Sequence, residues 1–258
     1  MFWGTTTPDD FVKGIQHCIN AVKAQVGIYA GDNLFTYNRN LSFLDDEAFM
    51  AAVGRNVKDE VERAIIWRTS VLLWGVRHGL KLEGDFVEGG CYKGTSVRIL
   101  CETINFAQVD KRYFLYDLFD YDPSMPHHAM PEHSKQLAQS VTDRFADMPN
   151  VVVTQGKIPD VLDLVAPEKI AFMHLDMNNA PAEVAALEVL FDRMVPGAIL
   201  VLDDYGWIVY REQKVAEDSW LAARGYQVLE LPTGQGLVIK RYRPDGNQYM
   251  TPELQFTA

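Results

Sequence analysis

From Gly84 onward the chain alternates short apolar runs with longer amphipathic ones. The runs at 85–88, 112–117, 151–154, 170–176, 198–203, 226–231 and 236–241 read as strands. Helical patterns at 95–104, 133–147, 158–164, 181–194 and 209–224 lie between the first six. Strands separated by helices predict βαβ units and a parallel sheet, with right-handed crossovers putting helices on both faces. Only Pro232-Thr233-Gly234-Gln235 separates the last two strands. That spacing allows a hairpin and no helical crossover, so the seventh strand is expected to run antiparallel. The fourth run, Ile-Ala-Phe-Met-His-Leu-Asp, is apolar on both faces, as a central parallel strand should be.

Before Gly84 the texture is helical and weakly patterned. The expected division is a helical extension over 1–80 and an α/β domain over 81–258. Thr7-Pro8-Asp9-Asp10 is a helix-start signal, followed by Phe11, Ile15, Ile19, Val22 and Val26. Gly27 and the cluster Gly31-Asp32-Asn33 stop that helix. A second, long helix is predicted over 57–78, ending at Gly79, with Arg68 interrupting its apolar run; its Trp67 and Trp74 read as core packing. The apolar residues Phe43, Leu44, Phe49 and Met50 are compatible with a cover over a substrate entrance or with an oligomer interface.

Composition narrows the function classes. The 258 residues are 48% hydrophobic and 23% charged, a globular balance. Lys plus Arg is 24 and Asp plus Glu is 35, for a net charge of −11. Such a surplus argues against nucleic-acid and anionic-membrane partners and leaves cationic ligands and metal ions open. Cys18, Cys91 and Cys101 are odd in number and without metal-ligand spacing, so a reducing compartment and no disulfide framework are expected. The start MFWGTTTPDD has no basic-then-apolar signal pattern, and no run reaches the length of a membrane span. The expectation is a soluble cytoplasmic protein.

In an open α/β sheet, ligands bind outside the C-terminal ends of the strands. The first strand ends in Glu88-Gly89-Gly90-Cys91-Tyr92-Lys93-Gly94-Thr95-Ser96. Glycines there let the backbone approach a ligand closely, and the helix that follows offers its positive end. The spacing fits neither G-x-G-x-x-G nor a P-loop, so a dinucleotide is not indicated. The second strand ends at Asp117, whose carboxylate suits ribose hydroxyls or, alternatively, caps the next turn. The fourth ends at Asp176 and the fifth at Asp203-Asp204. If these strands are neighbours, three carboxylates crowd one crevice, so one is protonated or a cation is present. Oxygen donors without Cys or His suggest Mg²⁺ or Ca²⁺ rather than zinc; helix capping is the bland alternative. His174, on a core strand, is a structural histidine or a base. His127 and His128 belong to a stretch at 121–132, with His133 directly after it, that reads as a lid or as a polar surface loop.

The segment Gly84 to Ser96 resembles the first motif of the macrocin O-methyltransferase (TylF-like) family of class I S-adenosylmethionine methyltransferases. The resemblance continues through Tyr116-Asp117-Leu118-Phe119 and Gln155-Gly156-Lys157-Ile158-Pro159. It is closest in His174-Leu175-Asp176, Ala186-Leu187-Glu188-Val189-Leu190-Phe191, Val195-Pro196-Gly197-Ala198 and Leu202-Asp203-Asp204-Tyr205-Gly206. It covers about 84–240 and implies a Rossmann-like seven-stranded methyltransferase sheet with an antiparallel strand 7. By resemblance, Glu88 to Gly94, with Gly89, Gly90 and Tyr92 among them, hold the methionine part of the cofactor, and Thr95, Ser96 and Asp176 also belong to the cofactor site. Asp117 takes the ribose, and Gly156 lies near adenine. Asp176, Asp203 and Asp204 match positions that bind Mg²⁺ in family members.

Some members carry an acidic residue two positions after the first metal ligand, proposed as general base; here that position is Asn178. An amide cannot take a proton from a hydroxyl at neutral pH. His174, His127 and His128 are the remaining candidates for proton transfer. The leading expectation is an S-adenosylmethionine- and Mg²⁺-dependent O-methyltransferase acting on a hydroxyl of a sugar or natural product, forming homo-oligomers. The alternatives are a non-catalytic cofactor-binding scaffold, or a nucleotide-cofactor oxidoreductase on a similar sheet.

Overall fold

The structure, a computed structural model, describes residues 1–121 and 129–242. His127 and His128 lie outside the described residues. The N-terminal stretch holds helix α1 (Pro8–Ala21), the hairpin β1 (Tyr29–Gly31) and β2 (Leu34–Thr36), and helices α2 (Glu47–Asn56), α3 (Glu60–Ala64) and α4 (Ile66–Gly79). The hairpin replaces the expected stop cluster. Asp32 and Asn33 take left-handed φ of 53° and 55°, as both central residues of a tight hairpin turn must. Asp46 caps α2 by accepting from Phe49 N at 3.0 Å, and Asp59 caps α3 by accepting from Glu62 N at 2.9 Å. The long helix expected over 57–78 is therefore two helices, broken at Ile65 (φ −97°, ψ 11°).

The main sheet contains β3 (Asp85–Gly89), β4 (Tyr113–Asp117), β5 (Val151–Gln155), β6 (Ile170–Leu175), β7 (Met194–Leu202), β8 (Leu229–Glu230) and β9 (Gly236–Ile239). Their order is β5-β4-β3-β6-β7-β9-β8. The first five are parallel, and β9 runs antiparallel to both β7 and β8, as the short connection after Leu231 requires. Between them lie α5 (Thr95–Thr103), α6 (Leu137–Arg144), α7 (Ala180–Leu190) and α8 (Arg211–Ala222). The helical pattern at 158–164 condenses to one 3-10 turn, Asp160–Asp163.

Strand alternation divides the core in two. Phe86, Tyr113, Leu115, Phe172, Ile199 and Val201 join α2, α4 and α5 on one face. Val87, Phe114, Tyr116, Met173, Leu175, Leu200 and Leu202 meet α7 and α8 on the other. The sheet is thus buried on both sides, and its polar chemistry is confined to the C-terminal ends of the parallel strands. The N-terminal helices share the first of these clusters with the sheet: Phe49 and Val53 of α2 and Leu72 and Val76 of α4 are buried in it.

Candidate active site

The parity that sorts the core also gathers the site. Glu88 continues the row of Phe86 on β3, His174 that of Phe172 on β6, and Asp203 that of Ile199 and Val201 beyond β7. Register sets Glu88 beside His174. The backbone ladder runs one step past the strands: Asp176 N donates to Gly89 O at 2.8 Å and Asp203 N to Leu175 O at 2.9 Å. Glu88, His174, Asp176 and Asp203 consequently meet on the face that α4 covers.

Helix α4 lays a stripe on that face. Val76 and Leu72 are core residues, and one turn earlier stands Arg68, also buried. Its Nη1 donates to Asp203 Oδ2 at 2.6 Å and to Asp204 Oδ1 at 3.0 Å. Its Nε and Nη2 clamp Asp32 of the hairpin turn at 2.6 and 2.8 Å. Trp207 lies against the guanidinium, 5.0 Å from ring centroid to Cζ. The other oxygen of Asp203, Oδ1, accepts from Gln235 Nε2 at 2.8 Å and faces His174 Nε2 at 3.4 Å. His174 Nδ1 is 3.2 Å from Glu88 Oε2, which also accepts from Tyr113 OH at 3.2 Å.

These contacts set the charge states. Burial works against a charge on His174, but Glu88 and Asp203 outweigh it and hold the imidazole's pKa well above the usual range. Burial likewise opposes ionisation of Asp203, and Arg68 and His174 overcome it and keep the acid strong. Burial and the neighbouring Asp203 push Asp204 up to about 7 against the pull of Arg68. Asp176 is pushed well above the carboxylate range by burial and by Asp203 and Asp204.

The glycine loop bends over the end of β6. Gly90 (φ +84°) is pressed so closely against the Asp176 carbonyl that a Cβ would collide with it. Tyr92 is left-handed at φ 46°, and Gly94 (φ 68°) opens α5. Tyr92 N and Phe119 N donate to the two carboxylate oxygens of Asp117 at 2.6 and 2.7 Å, so this side chain both caps the turn and faces the cavity. Gly156 sits beside it, its N–H donating to Asp117 O at 2.9 Å. From below, Glu62 of α3 braces the loop. It accepts from Thr95 Oγ1 and pairs with Lys93 Nζ, each at 2.9 Å, and accepts from Lys58 N at 2.7 Å.

A cavity of about 420 Å³ runs through this region. Of the residues singled out in the sequence, Glu88, Gly90, Tyr92, Thr95, Ser96, Asp117, His174, Asp176, Asn178, Asp203 and Asp204 line it; Gly89, Gly94 and Gly156 stand behind the wall. His133 lines its outer part, its ring edge-on to Tyr92 at 5.6 Å. Asn178, left-handed at φ 52°, lines the cavity, and its Oδ1 is buried without a hydrogen-bond partner. Trp3, Ile65, Arg68, Trp207 and Tyr210 form an apolar, aromatic side that sequence reading did not assign to the site. Arg68 had one usable signal: a charge at i−4 from Leu72 in a stripe that is otherwise core.

Two metal questions have different answers. His174, Asp176 and Asp203 each offer a donor atom, all within 4.8 Å of one another, so a candidate cluster exists, with His174 in place of Asp204. The expected trio of Asp176, Asp203 and Asp204 does not fit a divalent ion as arranged. Arg68 already stands on the oxygens of Asp203 and Asp204, and a second cation there would be repelled by the guanidinium. The crowding that suggested an ion is relieved by the chain itself.

The profile of the family Methyltransf_24, a methyltransferase domain, matches residues 87–205. No curated protein matches by sequence. Among solved structures, the O-methyltransferase NovP is similar at a TM-score of 0.56 and 16% identity, over 68% of this chain and 80% of that one. CalS11, a TDP-rhamnose 3'-O-methyltransferase of calicheamicin biosynthesis, is similar at 0.54 and 10% identity, over 91% and 96% of the two chains. These identities speak to fold alone. No helix among the described residues is long and apolar enough to cross a membrane. With the strand order, the reversed last strand and a cavity at the strand ends, the chain has the fold of the class I S-adenosylmethionine-dependent methyltransferases.

Proposed function

We propose that the chain transfers the methyl group of S-adenosylmethionine to a hydroxyl of a small acceptor, a sugar or a natural product, in the manner of the TylF-like enzymes its motifs resemble. The observation that carries this reading is the single cavity that reaches from Asp117, where a ribose would be held, to the acidic centre at Asp176 and Asp203. The residues fit the cofactor. Gly90, lacking a side chain, lets the loop close onto the Asp176 backbone and border the cavity, and Asp117 is already oriented by two backbone donors. The bound cofactor supplies an electrophilic methyl on a positive sulfonium, and the acidic surroundings of Glu88 and Asp176 suit that charge.

The chain's own part is positioning. The aromatic side formed by Trp3, Trp207 and Tyr210 holds the ring of the acceptor. His174, held between Glu88 and Asp203 with a raised pKa, is a poor proton acceptor and serves to position these carboxylates. Arg68 stands on one oxygen each of Asp203 and Asp204 in place of magnesium; the proton that leaves the acceptor hydroxyl passes to Asp204, which lines the cavity and titrates at about 7, and from there to solvent. A sugar acceptor is in keeping with the acceptor of CalS11. Self-association and a cytoplasmic setting belong to the same proposal. They are supported by exposed Trp74 and Ile208 and by cysteines that all remain free thiols.

The test is calorimetric titration with S-adenosylmethionine, followed by transfer of labelled methyl to a panel of glycosides and nucleotide sugars. Binding in the micromolar range and label on an acceptor oxygen are expected. Absence of cofactor binding at millimolar concentration overturns the reading.

A further inference from the structure

Asp203 is the pivot of both arrangements that could hold an ion here, the three aspartates and the His174–Asp176–Asp203 group. Each of its oxygens already receives a donor: Arg68 on Oδ2, Gln235 and His174 on Oδ1. We propose that Arg68 is the resident cation of this site, bridging Asp203 and Asp204 from within the chain and keeping a divalent metal off them. Its catalytic consequence, methyl transfer that does not need magnesium, rests on the function proposed above; the exclusion of metal does not.

Three features make the guanidinium a built part of the site. Its stem leaves the buried stripe of α4, so the side chain is anchored on the sheet face and not on a surface loop. Its far edge is clamped by both oxygens of Asp32, and Asp32 is fixed in the left-handed hairpin turn and touched by Trp3 Nε1 at 3.3 Å. Its flank is covered by Trp207. A planar fork that spans two carboxylates on one edge and one on the other is geometry that arginine supplies and a lysine ammonium does not. Gln235, fully buried and oriented by Thr233 Oγ1 at 2.9 Å, completes the shell around Asp203 with a neutral donor. A metal would have to displace that donor or the arginine.

Mn²⁺ alone, followed by its electron paramagnetic resonance signal, tests this on the full-length protein. The wild type should leave added Mn²⁺ in solution. Arg68→Met, which keeps the apolar stem and removes the charge, should bind it at least about tenfold more tightly, because two buried carboxylates lose their partner. Adding Asp203→Asn to Arg68→Met should abolish the gained site. If Arg68→Met does not fold, Arg68→Gln takes its place, with the same gain expected. Stoichiometric Mn²⁺ binding by the wild type that Asp203→Asn removes overturns the proposal, and so does a folded Arg68→Met or Arg68→Gln that binds no more Mn²⁺ than the wild type. Cofactor calorimetry on the same samples separates the two readings: loss of S-adenosylmethionine binding would sink the methyl-transfer reading and leave the metal result standing. Once turnover is found, unchanged rates in chelator are expected, and loss of activity restored by Mg²⁺ would overturn metal-free transfer.

Discussion

Replacing Glu217 by Gln should make the protein more stable above neutral pH and flatten its stability profile. Glu217 of α8 and Glu183 of α7 are both fully buried and face each other across the two helices. Glu183 Oε1 accepts from Met177 N at 2.9 Å; its Oε2, both oxygens of Glu217 and the amide of neighbouring Gln213 have no donor or acceptor assigned. Two carboxylates in such a place cannot both be ionised, and a shared proton satisfies them. Burial and Glu217 push Glu183 well up, and burial, with Asp218, raises Glu217 from an ordinary 4.5 to about 7. A carboxyl raised on folding stabilises the native state below its unfolded pKa, and that contribution is lost as pH climbs through the folded value. For Glu217 the window is therefore about pH 4.5 to 7. At about 1.4 kcal/mol per pH unit, the loss across it amounts to about 3 kcal/mol. Glutamine keeps the shape and a hydrogen-bond donor for Glu183 without a titration. Urea unfolding at pH 5 and pH 8 measures the effect. The wild type should lose about 3 kcal/mol more than Glu217→Gln between the two. Parallel pH slopes for the two proteins would refute the shared proton. Because Glu183 holds the Met177 amide between Asp176 and Asn178, the same variant tests whether this loop needs the proton in place.

Asp117→Ala should weaken S-adenosylmethionine binding by about ten- to a hundredfold, the worth of hydrogen bonds to a charged group, read by calorimetry. Gly90→Ala should lower the melting temperature and abolish cofactor binding, since its Cβ collides with backbone at Asp176; wild-type behaviour would mean that the loop is not held as described. Glu62→Ala should cost about 1–3 kcal/mol by leaving the Lys58 amide without its acceptor and taking one carboxylate from Lys93 and the acceptor of the Thr95 hydroxyl, and should speed amide exchange in the glycine loop.

The sheet was legible because period two and the four-residue connection after Leu231 are local signals, and they left only one direction for β9. The acidic centre was legible for the same reason: strands that end in Asp176 and Asp203 must meet if they are neighbours, and they are. What supplies their counter-charge was not. Arg68 lies 135 residues from Asp203 in sequence, and no local pattern reports which helix covers which sheet face. The break at Ile65 was hidden because an apolar residue keeps the helical spacing through it and no side-chain cap marks the start of α4. The hairpin was misread as a stop because Gly31-Asp32-Asn33 suits either role until the flanking Tyr29 and Thr36 are seen to pair.

The cavity has two makers. Its floor is strand ends, whose spacing the hydrogen-bond ladder dictates; its ceiling is Trp3, Ile65 and the first turn of α4, joined to the floor chiefly through Arg68. Substitutions in the ceiling can reshape the mouth while the floor keeps its dimensions. Chimeras that exchange residues 1–21, and so retain Asp32, Glu62 and Arg68, would therefore redirect which molecules enter without rebuilding the end that faces Asp117.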